Sequence, residues 1–176
     1  MRGIYALTLL TIYVIGLSAC STKAPPADIA SMAPPGVSQT HRSGDYDADG
    51  NYIGPGSQAD LLRNAGSDRV FFDLDSSALD GDDRETLRRQ AAWLVQNLTV
   101  EVTIEGHCDE RGTREYNLGL GERRANAAKN FLVASGVSPA RMSVVSYGKE
   151  RPQEIGSDEK SWALNRRAVT LVVRRM

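Results

Sequence analysis

Apolar and polar residues alternate between residues 99 and 105 of the 176-residue chain. Val100, Val102 and Ile104 fall on one side of an extended backbone, and the threonines and glutamates between them fall on the other. Because successive side chains of a strand face opposite ways, this pattern predicts a strand with one buried and one solvated face. The sheet that contains it is therefore expected to carry helices on one side only.

Apolar residues at helical spacing occur on both sides of this strand. A helix is predicted over about 82–97, with Asp80 as its N-cap. Its inward stripe comprises Leu87, Ala91, Leu94, Val95 and Leu98. A longer helix is predicted over about 113–135, where Gly136 and Pro139 end it. Its inward residues include Ala128, Phe131 and Leu132.

Shorter segments complete the expected fold. Strands are predicted at 69–73, 142–147 and 168–173, and a short helix at 161–164. Helices on one face of a four-stranded mixed sheet form a two-layer α/β sandwich of the α+β class. We assign this domain to residues 59–176.

The first 19 residues have a different pattern. An apolar run of 13 residues at 4–16 is too short to span a bilayer comfortably and is typical of a signal peptide. Small residues then lead to Cys20, which resembles the lipobox of bacterial lipoproteins. The sequence predicts a signal peptide at 1–19 and a diacylated thiol on Cys20. A plain signal peptide cut near residue 19 is the alternative.

Residues 20–58 are rich in Pro, Gly, Ser and Ala and poor in large apolar residues. Such a segment cannot bury enough surface to offset its ordering entropy, so a flexible tether is predicted. Asp45, Asp47 and Asp49 resemble the opening of a calcium-binding loop. The position of the closing glutamate is Gly56, however, so a solvated acidic turn is the favoured interpretation.

Charge and cysteine content narrow the possible functions. The segment from Asp60 to Met176 carries 18 basic and 18 acidic side chains, so it is formally neutral. Nucleic acid is not favoured as a partner, because phosphate binding requires a basic surplus. The chain has two cysteines, Cys20 and Cys108. Acylation of the first leaves the second without a partner, so no disulfide is expected.

An acid and an arginine stand out near the start of the long predicted helix. Asp109 lies in a loop expected to be exposed, while Asn117, Leu120 and Arg124 share one helical stripe at i, i+3 and i+7. Such a pair suits a zwitterionic ligand, since the carboxylate accepts from an ammonium and the guanidinium holds a carboxylate. The positive end of the helix dipole favours the same ligand carboxylate. The alternative is a surface ion pair between Asp109 and Arg124.

Four sequence blocks follow one another at matched spacing: FDLDSS, IEGHCDERGTREYNLGLGERRAN, VSYGKERP and NRRAV. Through them the chain resembles the OmpA-like peptidoglycan-binding domain family over about residues 69–173. The resemblance implies a non-enzymatic lipoprotein, without a cofactor, that binds the meso-diaminopimelate stem peptide of peptidoglycan. Ser21 after the cysteine implies the outer membrane. The ligand contacts implied are Asp109, Asn117, Arg124, Asp73 and Phe72.

The resemblance also implies protein partners. In the family, the propeller protein TolB competes with the cell wall near the ligand groove, and TolA belongs to the same Tol machinery, which acts during membrane constriction at division. Glu110, Arg111 and Thr113 are the candidate protein contacts here, because they are expected to be exposed in the loop beside the groove. Arg166 and Arg167 are expected to pair with nearby acids.

Two other functions are considered. One is a cell-wall hydrolase using Cys108 as nucleophile and His107 as base. Adjacent strand residues face opposite ways, so the two side chains are not expected to meet, and His107 is expected to be a hydrogen-bonded polar residue at a strand end. Metal ligation lacks further ligands. Cys108 also replaces the threonine often found in the family motif. The second alternative is a wall-binding lipoprotein of a secretion or motility apparatus.

Overall fold

The computed structural model describes residues 45–173. This part of the chain contains four strands and four α-helices. In chain order they are α1 (Gln58–Ala65), β1 (Arg69–Phe71), α2 (Gly81–Gln96), β2 (Glu101–His107), α3 (Arg114–Ala134), a 3₁₀ turn (Pro139–Arg141), β3 (Met142–Gly148), α4 (Glu159–Asn165) and β4 (Arg167–Val173). Every predicted strand and helix is present.

The strands form one mixed sheet in the order β1-β4-β2-β3. Strand β2 is antiparallel to β4, with Ile104 opposite Thr170, and parallel to β3, with Ile104 opposite Val144. Strand β1 is antiparallel to β4. Helices α2 and α3 pack against the sheet. The predicted α+β class and mixed four-stranded sheet are confirmed.

The apolar core lies between the helices and the sheet. Leu61, Leu87, Leu94, Ile104 and Leu132 are each no more than 1% exposed. Burial of one such side chain contributes about 1.5–3 kcal/mol relative to its exposure. The core therefore fixes how α3 lies on the central strand.

The inward face of α2 is displaced from the predicted stripe. Leu87, Ala91 and Leu94 are buried, but Val95 is 45% exposed and Leu98 is 73% exposed. Gln90 and Trp93 are also buried, so the inward face is shifted around the helix, away from Val95. Leu98 lies beyond the end of α2 at Gln96, so the helical period no longer applies to it. The inclusion of Val95 and Leu98 was wrong.

Capping residues lie at the ends of the two long helices, close to the positions that the sequence predicts. Asp80 caps α2 through reciprocal bonds with Asp83, and the Thr113 side chain accepts from the third backbone amide of α3. After α3, Gly136 has φ +98°, which L side chains rarely adopt. Both long helices thus follow the prediction to within about a residue at each end.

Strand β1 ends earlier than predicted, at Phe71 rather than Asp73. The chain turns there, since Ser76 N donates to Asp73 O and Asp75 has φ +55°. This turn brings the segment 73–76 over the start of α3, where it forms one wall of the candidate site.

Helix α1 was not predicted. The Ser57 side chain accepts from Asp60 N at its start, Gly66 ends it, and Leu61 and Ala65 are fully buried. The Gln58 side chain also pairs with the edge of β4, donating to Thr170 O (3.1 Å) and accepting from Val172 N (2.8 Å). The signal for this helix was the Ser-x-x-Asp cap followed by a glycine.

Part of the predicted tether has local hydrogen bonding. Asp47 Oδ1 accepts from Asp49 N (3.0 Å) and Asn51 N (2.7 Å), and Tyr46 and Tyr52 form an isolated bridge. This is an acidic turn, as favoured above. The signal peptide, Cys20 and the tether up to residue 44 lie outside the described residues. Between residues 45 and 173, no helix is long and apolar enough to cross a bilayer.

A loop partly covers the second face of the sheet, which the alternating pattern of β2 predicted to be solvated. The loop after β3 places the Arg151 guanidinium 3.8 Å from the centre of the Tyr147 ring, and Gln153 accepts from Arg69 (2.9 Å). His107, on this face, is only 1% exposed. The alternating pattern of β2 did not show that a loop returns over its end.

Two contacts fix the frame around the site. A Cβ added to Gly106 would lie 1.8 Å from Gly121 O, so α3 crosses β2 at backbone contact. Arg141 ties the C-terminal end of α2 to the sheet by donating to three carbonyl oxygens, those of Leu94, Asn97 and Val100.

Candidate ligand site

The loop between β2 and α3 is held from both sides. Cys108 N donates to Gly148 O (2.8 Å), which extends the pairing with β3 by one residue. Asn117, in the first turn of α3, donates from Nδ2 to Arg111 O (2.7 Å) and Thr113 O (3.0 Å). Gly112 takes φ +83° at the turn. These bonds set the position of Asp109 relative to α3.

Arg124 is fully buried and bonded to three backbone carbonyls. It donates to Ser76 O (2.8 Å), His107 O (2.9 Å) and Asp73 O (3.0 Å). Burial lowers the pKa of the guanidinium, while the charge of Asp109 opposes that shift. A guanidinium has five N–H groups, so these three bonds leave two, and the Cys108 side chain is also within hydrogen-bonding reach of the group. Arg124 thus connects three segments and keeps at most two N–H groups for a ligand.

Asp109 is 5% exposed, so the prediction of an exposed acid was wrong. Arg111 folds back over it, with Nε 3.1 Å from Oδ1 and Nη2 2.6 Å from Oδ2. Arg166 Nη1 lies 3.5 Å from Oδ2. Burial alone would raise the pKa of Asp109, but the hydrogen bonds and charge of Arg111, together with Arg166, hold it below its usual value. The carboxylate is therefore ionised at neutral pH.

Asp109 and Arg124 line the same open cavity of about 300 Å³. Its wall also includes the two other residues of the predicted stripe, Asn117 and Leu120. The remaining lining residues are Leu74, Asp75, Cys108, Arg111, Gly112 and Tyr116. The alternative of an ion pair between Asp109 and Arg124 does not match this geometry, because each is bonded to other partners. The four residues predicted from the loop and helix do meet.

Phe72 and Asp73 belong to a neighbouring cavity of about 310 Å³. That cavity is also lined by Asp80, Asp83 and Arg166. Phe72 has its ring centre 5.3 Å from the Arg124 guanidinium, and Asp73 gives Arg124 its carbonyl oxygen. The structure thus places both residues behind the wall of the first cavity and not among its lining residues.

The three residues proposed for protein contacts also have structural roles. Glu110 accepts from Trp162 Nε1 (3.0 Å), and Arg111 lies 4.0 Å from the centre of the Trp162 ring. Thr113 is the N-cap of α3. Trp162 was missed, since nothing in the sequence shows that α4 returns to this loop.

Tyr116 and Asp75 were also missed. Their side chains hydrogen-bond across the cavity, joining the first turn of α3 to the β1–α2 turn. Tyr116 is 47% exposed and Leu74 is 59% exposed, so the mouth of the cavity has an apolar rim. Only the tertiary fold brings these two segments together.

His107 and Cys108 face opposite sides of the sheet, as expected. Cys108 Sγ donates to Asn117 O (3.4 Å), and burial raises the pKa of the thiol. His107 stacks on Tyr147, with ring centres 5.6 Å apart, and neither ring nitrogen makes a hydrogen bond, although Nε2 lies 3.4 Å from Glu105 Oε2. The expectation of a hydrogen-bonded His107 was therefore wrong. The arrangement required by the hydrolase alternative, a thiolate beside an imidazole base, is not formed.

The two adjacent arginines of the last block differ. Arg166 pairs with Asp109 and with Glu159 (2.7 Å), as expected. Arg167 donates to the carbonyl oxygens of Asn165 (3.4 Å) and Arg151 (3.3 Å) and has no acid among its hydrogen-bond partners, which corrects that prediction. Its position on β4 directs it to the His107 side of the sheet.

A family model described as the OmpA family matches residues 71–166, more than half of the chain. The chain therefore belongs to the OmpA family, and the matched range contains the whole cavity described above.

Within this family, the chain is similar to proteins named peptidoglycan-associated lipoprotein. The chain is 52% identical over 118 residues to the peptidoglycan-associated lipoprotein of Agrobacterium fabrum, covering 67% of this chain and 66% of that protein, just under two thirds. It is 48% identical over 132 residues to the protein of the same name from Brucella melitensis, covering 75% and 78%. The crystal structure of the peptidoglycan-associated lipoprotein from Burkholderia pseudomallei matches with a TM-score of 0.62 and 40% identity, over 65% of this chain and all of that one.

Proposed function

We propose that this chain is an outer-membrane lipoprotein that binds the meso-diaminopimelate stem peptide of peptidoglycan without forming a covalent bond. In this role it anchors the outer membrane to the cell wall and supports envelope integrity. The names of its relatives support peptidoglycan association. The finer assignment to one amino acid of the stem peptide is supported by the chemistry of the cavity.

The observation that carries this proposal is that Asp109 and Arg124 line one cavity. The side chain of meso-diaminopimelate ends in one carbon that bears an ammonium and a carboxylate. The carboxylate suits the remaining N–H groups of Arg124, and the ammonium suits Asp109. Leu120 and the apolar rim would contact the methylene chain. Asn117 acts indirectly, since its amide already holds the loop.

The N-terminal part of the chain supplies the anchor in this proposal. After removal of residues 1–19, acyl chains on Cys20 hold the protein in the outer membrane, because buried methylenes contribute about 0.8 kcal/mol each. Residues 20–58 connect this anchor to the domain at 59–176. Fully extended, such a tether reaches on the order of 130 Å. Reach and reversible binding together would give a high local concentration at the wall.

Membership of the Tol–Pal system is part of the same proposal. TolB would compete with the wall for the surface formed by Glu110, Arg111 and Thr113, and TolA would couple the complex to constriction at division. Arg111 belongs to that surface and also lines the cavity, so one partner would exclude the other. Co-purification of the full-length protein with TolB and TolA tests this part separately.

Asp109→Asn tests the ligand site. The change keeps the shape of the side chain and removes its charge, so we expect the domain to fold and its affinity for a soluble stem peptide ending in meso-diaminopimelate to drop at least about tenfold. Titration calorimetry measures the affinity, and sedimentation with purified peptidoglycan checks it on the natural polymer. A peptide with lysine in place of diaminopimelate lacks the carboxylate and should bind weakly to the unmodified protein.

Asp82→Asn is the matched control. It removes the same charge from an exposed position in the first turn of α2, outside the cavity. Equal binding by Asp109→Asn and the unmodified protein would reject the site.

A further inference from the structure

Arg111 occupies the acid half of the cavity. Its Nε and Nη2 atoms hold both oxygens of Asp109 in a two-pronged ion pair, and its backbone amide donates to Oδ1 as well (3.2 Å). Arg166 adds a fourth contact at 3.5 Å. A carboxylate offers about four acceptor positions. An arriving ammonium therefore finds Asp109 already saturated.

The two arginines bonded to Asp109 differ in how firmly their side chains are held. The Arg166 side chain is 8% exposed and is also bonded to Phe72 O and Glu159, whereas the Arg111 side chain is 34% exposed. Leaving both in place would put three cations around one carboxylate. Since Arg111 is the less enclosed, its side chain is the one that can leave at lower cost.

An alternative position for the Arg111 side chain lies next to Trp162, Glu110 and Glu159. Its guanidinium lies over the Trp162 ring, and the negative charges of Glu110 and Glu159 already act on it. Movement across the ring toward these exposed acids would retain a cation–π contact and an ion pair. The backbone of Arg111 need not move, because Asn117 holds its carbonyl oxygen.

We propose that Arg111 is a displaceable counter-ion of Asp109. In the free protein it closes the ammonium half of the cavity, and it moves toward Glu110 and Glu159 when a ligand ammonium binds Asp109. This inference rests on the proposed function. It gives Arg111 a regulatory role, because the position of its side chain decides whether Asp109 can accept from a ligand ammonium.

Arg111→Gln tests the proposal. Glutamine keeps much of the length but cannot form the ion pair, so the competitor is removed while the loop bonds of the backbone stay. We expect affinity for the meso-diaminopimelate peptide to increase about three- to tenfold, in line with a partly exposed ion pair. Arg114→Gln is the matched control: it removes the same charge three residues away, where the side chain is 62% exposed and pairs with Glu150, and it should leave the affinity unchanged.

The side-chain Nε–H signals of arginine give a direct readout by NMR. In the free protein, the Nε–H of Arg111 is bonded to Asp109 and that of Arg124 to Ser76 O. On saturation with the peptide, we expect the Arg111 signal to shift or broaden, while the Arg124 signal stays sharp. The Arg111 signal is assigned by its absence in Arg111→Gln.

The outcomes separate the two proposals. Tighter binding by Arg111→Gln together with a moved Arg111 signal supports displacement. If the unmodified protein binds the peptide and Arg111→Gln binds it equally or more weakly, Arg111 is a ligand contact or a bystander, and displacement is rejected while the proposed function stands. If neither protein binds the peptide, the proposed function fails and displacement by this ligand fails with it.

Discussion

The end of strand β2 has a buried polar cluster on each side, and the two clusters differ in how their charges are compensated. On the cavity side, Asp109 is bonded to two arginines and Arg124 to three carbonyl oxygens. On the other side, both ring nitrogens of His107 and the Nε of Arg167 make no hydrogen bond, and the Glu105 carboxylate lies 3.4 Å from His107 Nε2. Burial of polar groups is common to both clusters. Opposite charges that are already held in place, around a space open to water, distinguish the cavity side.

The surroundings keep the titratable group charged on one side of the sheet and neutral on the other. Arg111 and Arg166 keep Asp109 charged, whereas burial, and then the positive charges of Arg167 and Arg151, lower the pKa of His107 to about 4. One cluster thus keeps a charge available for a ligand, and the other keeps a titratable group neutral. A search for perturbed pKa values alone would have selected both.

The largest effect on stability is expected from Gly106→Ala, which would displace the backbone of α3 on the cavity side of the sheet. The added methyl group would overlap Gly121 O at 1.8 Å, so α3, which carries Asn117 and Arg124, must move off the sheet. We expect a loss of about 4 kcal/mol or more in the free energy of unfolding, measured with urea. Gly81→Ala, at the start of α2 with nothing within 4 Å, is the control and should cost nothing. Similar unfolding curves for both variants would contradict the close contact.

A comparison of Arg124→Met with Arg141→Met tests whether Arg124 binds the ligand or, like Arg141, only holds segments of the fold together. Each change leaves three carbonyl oxygens without their donor. We expect each to lower the free energy of unfolding by about 2–4 kcal/mol. Only Arg124→Met should also abolish binding of the meso-diaminopimelate peptide under conditions where both variants are folded. Retained binding by Arg124→Met would remove the guanidinium from the proposed site.

His107→Phe probes the other side and has the smallest effect at neutral pH. Phenylalanine keeps the stack on Tyr147 and removes two buried nitrogens that make no hydrogen bond, so a gain of about 1 kcal/mol in the free energy of unfolding is expected at pH 7. The pKa of His107 is lowered from 6.5 to about 4 in the folded protein, so the unfolded chain takes up the proton first as pH falls. The unmodified protein therefore loses stability as the pH drops from 6.5 toward 4, and the advantage of the variant grows.

Urea unfolding of both proteins at pH 7 and pH 5 measures this difference. An advantage of His107→Phe that stays constant between the two pH values would show that His107 is not held neutral by its surroundings. Peptide binding at pH 7 should be the same in both proteins, because His107 lies on the side away from the cavity.

Local sequence signals located most elements of the fold. The alternation in β2 and the helical spacing of α2 and α3 depend on neighbouring residues only, and so do the caps at Asp80 and Thr113. Helix α1 was missed although its cap was present, because its few apolar residues follow a stretch rich in Gly and Pro. Val95 and Leu98 were misassigned because a helical period does not show where the helix loses contact with the sheet.

The candidate site was predicted in part. The spacing of Asn117, Leu120 and Arg124 placed them on one stripe, and the structure brings that stripe to Asp109. The burial of Asp109 and the roles of Trp162, Tyr116 and Asp75 could not be predicted. Asp109 is covered by its neighbour Arg111 and by Arg166, 57 residues away, and Tyr116 meets Asp75 across 41 residues of sequence.

The sequence by itself determined the elements of this protein, their order and the residue types placed at the end of β2, since hydrophobic periodicity and capping act within a few residues. Only the tertiary structure decided which of those residues share a cavity and which groups neutralise them. Compensation of a buried charge depends on groups brought together by the packing of α3 on β2 and the return of α4 to the loop. That packing is set by backbone contact at Gly106 and Gly121, which no local pattern encodes.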